Sequence, residues 1–143
     1  MLIRAYTDAD RSAVVALWQA CGLTRPWNDP LKDIARKLRV QADWFLVGVE
    51  GEGADSALVA SAMFGYDGHR GWVHYLAVRP DRQAGGLGAA LMAHGEALLL
   101  AAGCPKVNLL VRTSNQQVIA FYQRLGYGID EVTSLGKRLI PDT

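Results

Sequence analysis

The chain has little cysteine, almost no net charge and no uninterrupted apolar run of membrane length. Two cysteines, Cys21 and Cys104, occur among 143 residues, and neither has metal-type spacing. No disulfide framework or metal cluster follows from them; both read as small buried hydrophobes of a reducing compartment. A formal net charge of +1 gives no bulk attraction for nucleic acid or an anionic membrane. The most apolar stretch, Ala84 to Gly103, is broken by His94, Glu96 and five glycines, which argues against a membrane span. Arg4, Asp8, Asp10 and Arg11 interrupt the N-terminus as no secretory leader would. The expectation is one cytoplasmic domain over residues 1–143, monomer or homodimer, with no metal, nucleic-acid or membrane partner.

What is present suits a globular domain. Half the residues are apolar and 20% charged, so a chain of this length can bury a core. Leu2 to Tyr6 reads as a strand. Val14, Val15, Leu17, Trp18 and Cys21 recur at helical spacing, which predicts a helix over Ala9 to Ala20 ended by Gly22. Asp29 as N-cap and Pro30 at the first helical position start a second helix. Its apolar face is predicted to be Leu31, Ile34, Ala35 and Leu38. Trp44 to Glu50 and Ala57 to Tyr66 read as an antiparallel hairpin. Trp72 to Val78 reads as the next strand, and Ala89 to Ala102 as a helix with Leu87, Leu91 and Leu98 on one face. Lys106 to Arg112 is β-forming, Gln116 to Leu125 helical, and Tyr127 to Val132 and Leu135 to Ile140 read as two last strands. The order predicts an α/β (α+β) fold. Its mixed, mostly antiparallel sheet would have about six to seven strands, with about four helices on both faces.

The informative stretch runs from His74 to Met92, HYLAVRPDRQAGGLGAALM. A strand leads through Arg79-Pro80-Asp81 into Gln83-Ala84-Gly85-Gly86-Leu87-Gly88 and straight on into a helix. Glycines let backbone N–H groups turn toward a ligand. The first N–H groups of a helix lack internal partners and favour an anion. No Lys-Ser/Thr follows Gly88, so this is not a Walker loop. Leu91 stands where a dinucleotide fingerprint needs its third small residue.

Gln83-x-x-Gly86-x-Gly88 resembles motif A of the GNAT superfamily, the acetyl-CoA-dependent N-acetyltransferases. Ala84 and Gly85 stand where that family often has Gly and Arg. Downstream, VRTSNQQVIAFYQRLGY (Val111 to Tyr127) resembles motif B, with Asn115, Ala120, Phe121, Tyr122, Gly126 and Tyr127 at its positions. The resemblance implies a GNAT fold whose central strands splay around Leu76 and Leu109 to admit acetyl-CoA, the co-substrate. Backbone groups of Leu76, Ala77 and Val78 would then meet the pantetheine. Backbone N–H groups of Gln83, Ala84, Gly85, Gly86, Leu87, Gly88 and Ala89 would hold the pyrophosphate, with Asn115 near the pantetheine. Tyr122 would be the general acid. A phenol, with an ordinary pKa near 10, is protonated at neutral pH and can donate to a departing thiolate. The same residue also fits a core helix face with Ile119 and Leu125.

The implied reaction is acetyl transfer to a primary amine of a small molecule, peptide or protein by direct attack, since no cysteine lies in either motif. The alternative is a non-catalytic acyl-CoA-binding or regulatory module. The LLVRTSN segment resembles the ribosomal-protein alanine N-terminal acetyltransferases, but their catalytic Glu falls at Leu110 here, which takes no proton. His74, Tyr75, Asp67 and His69 are the candidates for base or water relay, Tyr75 and His74 first among them. RPWNDP, GYDGHRG and SLGKRL resemble segments of the small bacterial YpeA-type acetyltransferases. They make Trp27, Asn28, Asp67 and His69 candidates for the acceptor site, against plain turn chemistry and capping.

Overall fold

The computed structural model describes residues 1–143. Its sheet has five strands in the order β1-β2-β3-β4-β5: Leu2–Ala5, Phe45–Glu50, Ala57–Tyr66, Gly71–Val78 and Val107–Asn108. The first four are successive antiparallel neighbours, and β5 runs parallel to β4. Four α-helices cover the two faces: α1 (Arg11–Ala20), α2 (Pro30–Lys37), α3 (Leu87–Ala101) and α4 (Gln116–Arg124).

Two cores follow from strand alternation. On one face Val14, Leu17 and Trp18 of α1 and Ile34 of α2 pack on Tyr6, Phe45, Val47, Met63 and Ala77. On the other, Leu91, Met92 and Leu99 of α3 and Tyr122 of α4 pack on Val59, Ala62, Phe64 and Val73. Leu91 is wholly buried, whereas the predicted face partners Leu87 and Leu98 are only half-buried. Gly95 sets how closely α3 sits: a Cβ there would overlap the Phe64 ring.

Three expectations are corrected. The two terminal strands do not form. Residues after α4 pair with no strand, and Ile129, Val132, Leu135 and Leu139 are 75–91% exposed. Instead this segment is held by side chains. Asp130 accepts from Lys106 and Asn108, and Asp142 reaches α2. The β-forming run Lys106 to Arg112 pairs over only two residues, because β4 and β5 part after Trp72 and Asn108. The apolar face assigned to α2 is also wrong. Only Ile34 is buried, and Leu31 is 52% exposed. The helix meets the sheet through polar groups, with Tyr75 Oη donating to Asp33 at 2.6 Å and Lys37 Nζ donating to the Phe64 carbonyl. Asp29 does cap this helix, accepting from the Leu31 N–H at 2.9 Å.

Candidate active site

The glycine turn is built as an open row of donors. Ala84 and Gly86 both lie in the left-handed region, at φ +65° and +83°, which turns successive N–H groups toward one side. The backbone N–H groups of Gly86, Leu87, Gly88 and Ala89 donate to no protein acceptor. α3 begins at Leu87, two residues earlier than its apolar pattern suggests, because Gly86 serves as its N-cap. A Cβ on Gly86 would meet nothing within 4 Å, so space for a ligand lies there. The Gln83 side chain bends back and donates to the Val78 carbonyl at 2.9 Å. It therefore braces the turn.

β4 has a bulge at the centre of the molecule. Ala77 pairs with Ser61 but His74 with Met63, so two residues, Tyr75 and Leu76, face one. Tyr75 takes φ +55°, an unusual value for a bulky residue. The bulge is held from α1 and β3. Ser61 donates to the Tyr75 carbonyl at 3.0 Å, Trp18 Nε1 donates to Ser61 at 2.9 Å, and the Trp18 and Tyr75 rings stack at 3.8 Å. Ladder pairing of β4 with β5 ends at Trp72. Leu76 and Val78 beyond it sit on a diverging edge, as the splay requires. Sequence reading missed one neighbour: the Cys21 thiol donates to the Val78 carbonyl at 3.2 Å, and burial pushes that thiol's pKa up. It is thus kept protonated.

α4 lies over this edge. Asn115 caps it, its Oδ1 accepting from Val118 N–H at 3.4 Å. Phe121 closes on the start of α3, where a Cβ on Gly88 would meet its ring at 3.1 Å. Tyr122 follows, 8% exposed, in the same core as Val73, with Leu76 and Val78 packed against it. Its hydroxyl makes no hydrogen bond to the protein and is not among the fully buried unpaired atoms. Burial raises its pKa to about 12. The neighbouring Tyr127 donates instead to Glu96.

The candidate bases separate. Tyr75 donates to Asp33, and burial followed by that bond raises its pKa, so it is a phenol and no proton acceptor. His74 is exposed by area, but surrounding atoms crowd its ring. That desolvation, with the Lys37 charge acting in the same direction, lowers its pKa and favours the neutral imidazole that can accept. Leu110 is 64% exposed and offers no chemistry.

The acceptor candidates do not form one cluster. Asp67 holds its turn: Oδ1 accepts from the His69 and Arg70 N–H groups at 2.8 and 2.7 Å, and Oδ2 from Trp72 Nε1 at 3.0 Å. The two backbone bonds and then the indole bond bring its pKa to about 2. His69 is an exposed turn residue outside the neighbouring cavity, and Trp27 is 53% exposed. Asn28 is tied by Arg138 to the C-terminal segment. Sequence reading missed Asp33 and Lys37, which face the sheet one helical turn apart.

A parted pair of parallel strands, a bulge and a donor-lined turn at a helix start define an acyltransferase of the GNAT class. The chain belongs to the acetyltransferase (GNAT) family, whose model matches residues 4–127. It is similar in particular to an acetyltransferase of Pectobacterium atrosepticum, 48% identical over 99% of this chain and 98% of that one. It is likewise similar to one of Sodalis glossinidius, 49% identical over the same shares. Among solved structures, the ribosomal-protein-S18-alanine N-acetyltransferase of Escherichia coli superposes with a TM-score of 0.67. It is 26% identical, over 87% of this chain and 76% of that one. Ard1 of Thermoplasma volcanium shares the fold at a TM-score of 0.75, 24% identity, 90% of this chain and 83% of that one. No helix is long and apolar enough to cross a membrane.

Proposed function

We propose that this chain transfers the acetyl group of acetyl-CoA to a primary amine by direct attack within one complex. The observation that carries the reading is the row of unpartnered N–H groups from Gly86 to Ala89 at the start of α3. Such a row suits a pyrophosphate, and the helix dipole adds to it. The open space over Gly86 fits that use. Acetyl-CoA supplies an activated thioester; the protein's residues do the rest. The diverging edge of β4 at Leu76 to Val78 holds the pantetheine arm alongside the Asn115 amide nitrogen, its oxygen being taken by the cap of α4. Tyr122, a phenol at any physiological pH, donates its proton at the leaving sulfur. His74, neutral and beside the bulge, takes the proton of the attacking amine, directly or through a water. A lysine-type amine, with a pKa near 10.4, is neutral in only about one molecule in two thousand at pH 7, so this acceptance matters.

Gly86→Glu tests the reading. It puts a side chain and a negative charge where phosphate should sit, and forces a non-glycine residue to φ +83°. Calorimetry should show acetyl-CoA binding lost while circular dichroism remains native. Wild-type affinity in that variant would overturn the coenzyme assignment.

A further inference from the structure

The face of the bulge opposite α3 holds a second feature that acetyl-CoA binding does not use. Lys37, the last residue of α2, points its ammonium at the sheet, where its one hydrogen bond is to the Phe64 carbonyl. It forms no salt bridge, although half-withdrawn from water, and desolvation lowers its pKa. An ammonium taken partly out of water without a counter-charge is costly.

The ammonium borders a cavity of about 300 Å³ whose other walls include Val40, Met63, Tyr66, Trp72 and His74. Trp72 and His74 stack nearly parallel, 6° apart. Asp67 is the one acidic group on the rim, and three donors already hold its carboxylate. The unanswered charge in this cavity is therefore positive, and its remaining lining is largely apolar and aromatic. Its volume is at the lower end for ligand sites.

One helical turn earlier, Asp33 presents a carboxylate to the same side, at Tyr75 Oη. Residues four apart on a helix are neighbours, with Cβ atoms about 5–6 Å apart. Yet Asp33 and Lys37 do not pair, since Asp33 is bound to Arg36 and Tyr75. The Asp33 carboxylate is thus already answered, and Lys37 is the charge of α2 left open toward the cavity that His74, next to the bulge, also lines.

Resting on the acetyl-transfer reading above, we propose that the acceptor is a small apolar amino acid, its carboxylate held by Lys37 and its amine presented to His74 in the same cavity. A polyamine or a lysine side chain would bring a second positive charge, or none that is negative, to Lys37.

The test assays the twenty common amino acids, each beside its amide and its decarboxylated amine. N-acetyl product is followed by mass spectrometry, and binding by calorimetry with coenzyme A present. At least one apolar amino acid should be acetylated with a kcat/KM about 10–100-fold above that of its amide, the value of one charge-assisted hydrogen bond. Lys37→Met keeps the stem volume. It should bring the acid-to-amide ratio near one and weaken calorimetric binding of the acid to match, with acetyl-CoA affinity unchanged. A purely structural tie from α2 to β3 predicts the reverse, a lower melting temperature and an unchanged ratio, and that result would overturn the proposal. So would equal use of acid and amide, or an enzyme that binds acetyl-CoA but acetylates no amino acid. Failure to bind acetyl-CoA at all would refute the underlying reading instead, and this one with it.

Discussion

Replacing Tyr122 with phenylalanine should separate chemistry from packing at a single atom. The ring is 8% exposed and makes edge contacts with Phe121 and Tyr127 at centroid distances of 5.0 and 5.6 Å. Phenylalanine keeps those contacts. The lost hydroxyl has no partner in the protein, so no donor or acceptor is orphaned, and stability should move by less than about 0.5 kcal/mol. Acetyl-CoA affinity should also hold, since the donors that would bind the pyrophosphate are backbone groups of another segment. Turnover is different. A positioned general acid contributes about 10²–10⁴ in rate, a barrier rise of roughly 2.7–5.5 kcal/mol. The assay is thiol release at saturating acetyl-CoA and amine, alongside a calorimetric Kd and a melting temperature. Burial holds the phenol at about 12, so the wild-type rate should show no loss from this group below about pH 10. An unchanged kcat in the variant would refute the assignment and make solvent the proton donor.

Two predictions concern the scaffold. Leu91→Ala empties a fully buried site between α3 and the sheet and should cost roughly 2–5 kcal/mol, read as a shift of the denaturant midpoint. Asp142 accepts from Arg36 at 2.7 Å and from the Asp29 N–H at 2.7 Å, which lowers its pKa from 3.8 to about 2. A depressed carboxylate stabilises the fold above its unfolded pKa and loses that contribution as pH falls through the folded one. The stability gap between wild type and Asp142→Asn should therefore be full above pH 4 and shrink toward pH 2. A gap that does not vary with pH would refute the role of its charge.

The antiparallel part of the fold was legible because its signals are local. Ala57 to Tyr66 forms the predicted strand end to end, and Asp29-Pro30 starts α2 where capping chemistry places it. The signal failed where partners decide. Lys106 to Arg112 and Leu135 to Ile140 have strand composition, yet a strand needs a neighbour, and β4 turns away from the first while nothing pairs with the second. The glycine turn of the site was legible as a motif, since its left-handed residues and missing acceptors follow from backbone chemistry. The Tyr75–Leu76 bulge was not, because an extra residue in a ladder leaves no compositional mark. Asp33 and Lys37 looked like the polar side of an amphipathic helix. Only the tertiary contact shows that this polar side faces the sheet.

The grip of Asp142 on the start of α2 has a consequence for the order of assembly. β2, β3 and β4 are joined by short turns, so their two pairings form from contacts of low sequence separation, while β1 joins β2 across α1 and α2. The bond from Asp29 to Asp142 spans 113 residues. During synthesis it cannot form until Asp142 has left the ribosome, well after β2 to β4 have been free to fold. The loop ahead of α2 is thus the last part of the chain to be fastened, and a fusion placed directly after Thr143 loads the very residue that fastens it.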